Sequence, residues 1–247
     1  MGIIYIGDRS VGKTHLAMEL ANPRGEYVKV LSPDYETLKG NLFDHSTGST
    51  KPTDAAREVD SRRLEIQVKL PARPKNISFD WIDTPGEIWR KQWQQKNPEK
   101  WENFLKVACQ SQGILLVLNP DRTTLPTSVK ADYPTETQWA NRFEQWIDFF
   151  QYDCPKARHI VVCINKADLF CDLKQEASVL AFNPNGSQLT WQQRHDHVQK
   201  YFKPIQPYID QISKSTTGLS VRCFITSIHS RPLLELPWIY LANYLEQ

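Results

Sequence analysis

Short apolar runs punctuate the chain at residues 3–6, 64–70, 77–83, 114–118, 160–164 and 221–226. Each has the length of a strand and falls short of a buried helix. Between most of them, apolar residues recur every three to four positions, which predicts helices over 14–21, within 86–110, and over 135–150, 190–213 and 233–245. Strand and helix in alternation predict βαβ units, hence an α/β fold whose mixed, mainly parallel sheet carries helices on both faces. One pair of runs departs from the alternation. Only residues 71–76 separate 64–70 from 77–83, too few for a crossover helix, so these two should form an antiparallel hairpin, placed here at the sheet edge.

Two windows lack this order. Residues 32–61 are rich in Asp, Ser, Thr, Gly and Lys with little periodicity, which reads as a long loop, either functional, as a nucleotide switch would be, or mobile. Residues 170–218 hold the turn signal Asn183-Pro184-Asn185-Gly186-Ser187 ahead of a helical pattern and read as an insertion. At 247 residues, a single domain over 1–247 accommodates both.

Composition narrows the function. With 30 Lys+Arg against 28 Asp+Glu, the balance is too even to imply a nucleic-acid partner. Five scattered cysteines without C-x-x-C spacing fit free thiols packed as small hydrophobes, and so a reducing cytoplasm. No leader, no apolar span of about 20 residues, and neither a polybasic tail nor a prenylation cysteine is evident, so no membrane anchor is expected.

The candidate chemistry starts at Gly7-Asp8-Arg9-Ser10-Val11-Gly12-Lys13-Thr14, which fits G-x-x-x-x-G-K-[ST] between a strand and a helix. Its glycines let backbone amides converge on phosphate, the lysine meets the β- and γ-phosphates, and the threonine hydroxyl ligates Mg²⁺. Residues 7–15, His15 included, are the expected phosphate contacts. Arg9 could lean over the phosphates, although such a side chain more often faces solvent. Asp83-Thr84-Pro85-Gly86 ends a second strand; beside the loop, Asp83 could hold Mg²⁺ and the Gly86 amide could meet a γ-phosphate, whereas alone it would read as a capped turn. Asn165-Lys166-Ala167-Asp168 ends a third strand. A carboxylate there can accept from both N1–H and N2–H₂ of guanine, a pair of donors that adenine lacks, which disfavours an ATP-using enzyme.

With the three motifs in this order, the chain resembles the Ras-like small GTPases of the translation-factor-related class of P-loop proteins. The resemblance implies GTP and GDP as ligands, Mg²⁺ as cofactor and a molecular switch as the activity. It further implies that Thr226-Ser227-Ile228-His229 is the fifth motif, with Ser227 and the Ile228 amide at the base and His229 where a lysine is usual. A loop threonine would sense the γ-phosphate and join Thr14 and Asp83 at the metal; Thr47, Thr50 and Thr53 are candidates, Thr53 being favoured. Lys13, Thr53, Gly86 and Glu87 form the implied catalytic set. Glu87 stands where family members often carry glutamine, and a carboxylate cannot donate an N–H to the transferring group, so slow hydrolysis is expected. The alternative is a structural or regulatory subunit that holds nucleotide without cycling.

Protein partners are expected through 32–61 and 86–104, where Trp89, Trp93, Trp101 and Phe104 divide between core and interface. Arg62, Arg63, Lys69, Arg73 and Lys75 read as charges guarding an exposed edge. His195 and His197, two residues apart, cannot face one metal from a helix and are read as part of a solvated face.

Overall fold

The computed structural model describes residues 2–8, 10–44, 49–50, 60–83, 91–185, 189–215 and 218–245, with 43–44, 49–50, 60–62, 81–83 and 215 described by backbone alone. Strand β1 (Gly2–Gly7) leads into helix α1 (Lys13–Ala21), followed by β2 (Val28–Ser32), α2 (Tyr35–Leu42), the two-residue strands β3 (Phe43–Asp44) and β4 (Ser49–Thr50), β5 (Asp60–Lys69) and β6 (Pro74–Asp83). Then come α3 (Lys91–Lys96), α4 (Pro98–Gln110), β7 (Ser111–Leu118), α5 (Glu136–Asp148), β8 (His159–Ile164), α6 (Leu173–Leu180), α7 (Trp191–Val198), α8 (Gln206–Ser215), β9 (Ser220–Ile225) and α9 (Arg231–Tyr244).

The main sheet runs β2-β5-β6-β1-β7-β8-β9, and β5 is its one strand laid antiparallel to its neighbours. The α/β class with a mostly parallel sheet is therefore as the patterning predicted. The central strands are apolar on both faces because both are covered: Ile3, Ile4, Tyr5 and Ile6 of β1 and Ile114 to Leu118 of β7 are all buried. The hairpin β5–β6 forms with Arg63 opposite Asp80 and Ile66 opposite Ile77. It does not lie at the edge. β2 pairs outside it, with Val28 opposite Val68 and Val30 opposite Ile66, so the outer strand is β2. Only Val28 of that strand is fully buried, a pattern too weak to read as a strand in advance.

The 32–61 window is likewise not irregular throughout. It opens with α2, which buries Leu38 and Leu42, an i, i+4 pair on one helical face, and a small β3–β4 ladder follows. Prolines divide two of the expected helices. Pro98 starts α4 after α3, and Asn97 Nδ2 donates to Trp93 O at 3.0 Å. Pro204 lies in the short 3₁₀ turns that separate α7 from α8, and Pro207 falls in the first turn of α8, where its missing backbone donor is tolerated.

Helix α9 is buried from Leu233 to Ala242 on every side, which requires cover on its outer face as well as the sheet beneath. Residues from the 170–218 window supply part of it: α6 packs on α9, and the Trp191 ring meets Tyr240 edge-on at 5.4 Å. No helix among the described residues is long and apolar enough to cross a membrane.

Candidate functional site

Parallel strands β1, β7, β8 and β9 bring the loop after β1, residues 165–168 after β8 and residues 226–230 after β9 to one end of the sheet. Crevices at the carboxyl ends of such strands are where ligands bind in open α/β sheets. Two glycines shape the loop. A Cβ on Gly7 would lie 2.3 Å from Val117 O, so β1 can leave the sheet this close to β7 only without a side chain. Gly12 adopts φ 91°, and a Cβ there would come within 2.6 Å of Asn165 Nδ2. Ser10, at φ 61°, also sits in the left-handed region, a conformation that costs a non-glycine residue about 1 kcal/mol or more.

Gly12 caps α1 without a side-chain hydrogen bond, and the first turn holds no acidic residue. The leading N–H groups of α1 thus depend on something other than a capping side chain, and the helix dipole adds to their preference for an anion. Lys13 is 5% exposed; its ammonium donates to Gly7 O (2.8 Å) and Asp8 O (3.0 Å), which folds it along the loop. Tyr5 Oη donates to Lys13 O at 3.2 Å, fastening the helix start to the sheet. Burial pushes the Asp8 carboxyl above the usual carboxylate range, against the opposing charges of Arg142 and Lys13. Thr14 is half-buried and His15 exposed; partial desolvation, then the Lys166 charge, lowers the His15 pKa.

The loop after β8 is tied to the loop after β1 by two side chains. Asn165, 3% exposed, donates through Nδ2 to Val11 O at 2.7 Å and accepts from Thr226 Oγ1 at 3.3 Å. Lys166, at φ 61°, donates from Nζ to Ser10 O at 3.0 Å. Desolvation lowers the Lys166 pKa, with Asp168 acting in the opposite direction. Asp168 is exposed but held, because the buried Ser227 hydroxyl donates to its Oδ1 at 2.5 Å. Ile228 follows in a turn closed by His229 N–H donating to Ser227 Oγ and Ser230 N–H to Ser227 O. The structure therefore gathers Gly7, Asp8, Ser10, Val11, Gly12, Lys13, Thr14 and His15 with Asn165, Lys166, Asp168, Ser227 and Ile228.

Asp83 is placed by its backbone: β6 runs parallel to β1 with Trp81 opposite Tyr5, which brings Asp83 level with Gly7. Thr50 is placed in β4 by backbone alone. Arg9, Thr47, Thr53, Gly86, Glu87 and Trp89 lie outside the described residues. Thr14 and Asp83 offer the hydroxyl and carboxylate oxygens that suit Mg²⁺, which keeps much of its water shell. Among the described residues, no group of three or more His, Cys, Asp or Glu is placed to hold a metal by itself. Of the aromatic residues in the 86–104 window, Phe104 is buried, while Trp93 and Trp101 pack partly buried against the core.

Three residues of the β7–α5 connection escaped the motif reading. Asn119, directly after β7, keeps a buried Oδ1 with no partner; an unmade bond of this kind costs about 1–3 kcal/mol. Buried Asp121 accepts from Thr123 N–H and Thr123 Oγ1 and holds a 3₁₀ turn. Tyr133 places its ring over Lys166 Nζ, 4.9 Å from the centroid. An asparagine ending a strand between two motif-bearing strands was the available signal for the first; nothing local marks Tyr133.

His195 is no part of a solvated face. It is buried, and its Nδ1 accepts from Cys223 N–H at 3.0 Å, supplying an acceptor to the outer side of strand β9. His197 turns away from it, to Glu176 Oε2 at 2.6 Å. The five cysteines are free thiols.

The chain matches no protein-family model, and a search of curated proteins finds no significant relative. The functional reading accordingly rests on the geometry of the site.

Proposed function

We propose that the crevice binds GTP and GDP with Mg²⁺, and that the protein is a guanine-nucleotide switch with slow hydrolysis. The observation that carries this reading is the single network joining the two loops: Asn165 to Val11, Lys166 to Ser10, and Ser227 to Asp168. It presents a carboxylate of fixed orientation on the loop that is also bonded to the phosphate loop. Guanine offers two adjacent donors to such a carboxylate, whereas adenine offers none in that arrangement. The mostly parallel sheet with one reversed strand supports a P-loop GTPase-like assignment, with β2 as an addition at its border.

In this reading the α1 amides and Lys13 hold the phosphates, while Thr14 and Asp83 hold the metal. Mg²⁺, when bound, neutralises charge on the β- and γ-phosphates. Asp168 selects the base and Ser227 keeps its carboxylate turned. Slow turnover follows from the carboxylate at Glu87, which can accept from an attacking water but donates nothing to the transferring group. Effector contact through 32–61 and 86–104 belongs to the same proposal.

Titration calorimetry with GDP, GTP and ATP in the presence of Mg²⁺ tests the reading. Tight uptake of both guanine nucleotides with little uptake of ATP is expected, and preference for ATP would overturn it. Single-turnover hydrolysis beside Glu87→Gln separates a switch from a non-cycling subunit, because only the former gains or loses rate at that position.

A further inference from the structure

Among the described residues, the β7–α5 connection meets the loop after β8 through an aromatic contact. Tyr133 holds its ring against the Lys166 ammonium, the same ammonium that reaches Ser10 O across the two loops. The ring is not carried by a loose loop. Arg122 Nε donates to Tyr133 O at 2.8 Å and Arg122 Nη2 to Ala131 O at 3.1 Å, and Arg122 N–H donates to Pro134 O at 3.1 Å. Farther along, Trp139 Nε1 donates to Asn119 O at 2.8 Å, closing the two ends of the connection on each other.

We propose that Tyr133 is a positioning residue for nucleotide retention, acting through Lys166. This rests on the guanine-nucleotide reading above and extends it to a part of the chain that bears none of the motifs. A lysine side chain left mobile loses up to about 2 kcal/mol of rotamer freedom when a ligand orders it. An aromatic face holding the ammonium removes part of that ordering cost and so raises affinity, a gain that among variants of one site appears mainly as slower release. The effect is larger where water is scarce, and desolvation does lower the Lys166 pKa. The phenol stands in the same small volume: its own pKa is raised by desolvation and then by the Asp168 charge. Tyr133, Lys166 and Asp168 thus share one mouth of the crevice.

Release of a fluorescent GDP analogue, followed by stopped flow, provides the test. Tyr133→Phe keeps the ring and should release within about twofold of the parent, whereas Tyr133→Leu should release about fivefold faster. In a Lys166→Met background the leucine substitution should have no further effect, as expected for residues that act as a pair. Leucine equal to the parent, leucine and phenylalanine equally fast, or full additivity with Lys166→Met would each overturn the proposal while leaving guanine binding intact. Failure of the parent to take up guanine nucleotide would instead overturn the functional reading, and nucleotide retention with it. The ring contact has its own measurement in nucleotide-free protein: Tyr133→Leu should move the Lys166 ε-methylene proton resonance downfield by removing the ring current, and an unmoved resonance would overturn the contact.

Discussion

The two halves of the crevice are built from different materials. The phosphate half is specified by backbone: Gly7 permits close approach to Val117, Gly12 and Ser10 turn through the left-handed region, and α1 presents uncapped amides. The base half is specified by side chains, with Asn165, Lys166, Asp168 and Ser227 bonded in sequence to the other half or to each other. Amides pointing at phosphate recognise any nucleotide, whereas a carboxylate held by a hydroxyl discriminates between bases. Under the guanine-nucleotide proposal, affinity and selectivity therefore have separable structural sources, and substitutions on the two sides should fail differently.

The largest effect is expected from Lys13→Ala. It removes the buried cation of the phosphate half, and loss of charge-assisted bonds of about 1.5–3 kcal/mol each should weaken GDP and GTP alike by about 100-fold. Calorimetry checks this; a variant that loses one guanine nucleotide and keeps the other would break the comparison. Asp168→Asn should act on selectivity. Guanine affinity should fall about 30-fold, while xanthine nucleotides gain, because the amide pairs a donor with the 2-oxo group and an acceptor with N1–H. A competition assay with both bases reads the outcome, and equal losses for both would assign Asp168 to structure alone.

The smallest effect concerns acid. Glu176 ties α6 to α7 and the turn after it, accepting from His197 Nε2, Lys200 Nζ and Tyr201 Oη at 2.6, 2.8 and 2.7 Å. The Tyr201 ring in turn packs against Phe170, next to the base motif. Burial acts to raise the Glu176 pKa, but the bonds from Lys200, Tyr201 and His197 overcome it and leave the pKa lowered. A depressed folded-state pKa contributes stability that is complete above the ordinary glutamate value and is lost as pH falls through the folded-state one. Melting followed below about pH 4.5 should show this loss in the parent and less of it in Glu176→Gln. If the acid dependence of melting is the same in both, the anchor has no such role.

Much of the architecture could be read from apolar spacing because the buried strands β1, β7 and β8 are uniform runs with glycine or polar stops. The border strand β2 could not, since burial of Val28 with partial burial of Val30 leaves no clear alternation beside exposed Lys29 and Leu31. Helix α2 was hidden similarly, its apolar contact reduced to Leu38 and Leu42. Around the crevice, residues 7–15, 165–168 and 226–228 could be picked out because they are closely spaced at strand ends, and the structure brings those strand ends together. Tyr133 lies far from Lys166 in sequence and meets it only through the strand order β7-β8, so no local pattern announces it. His195 was misread for a related reason: its partner is the Cys223 backbone amide, and a free amide leaves no mark in an amino-acid sequence.

That imidazole carries a consequence of its own. Desolvation, then Arg222, keeps His195 below the usual histidine range, with Asp196 and Asp210 opposing; the neutral ring is the form whose Nδ1 can accept a proton in a hydrogen bond. At the far side of the sheet, one amide of β9 is thus met by a heterocycle on a covering helix instead of by another strand, and that bond forms in one charge state only. Protonation of Nδ1 would set a donor against the Cys223 N–H and cost β9 that one bond.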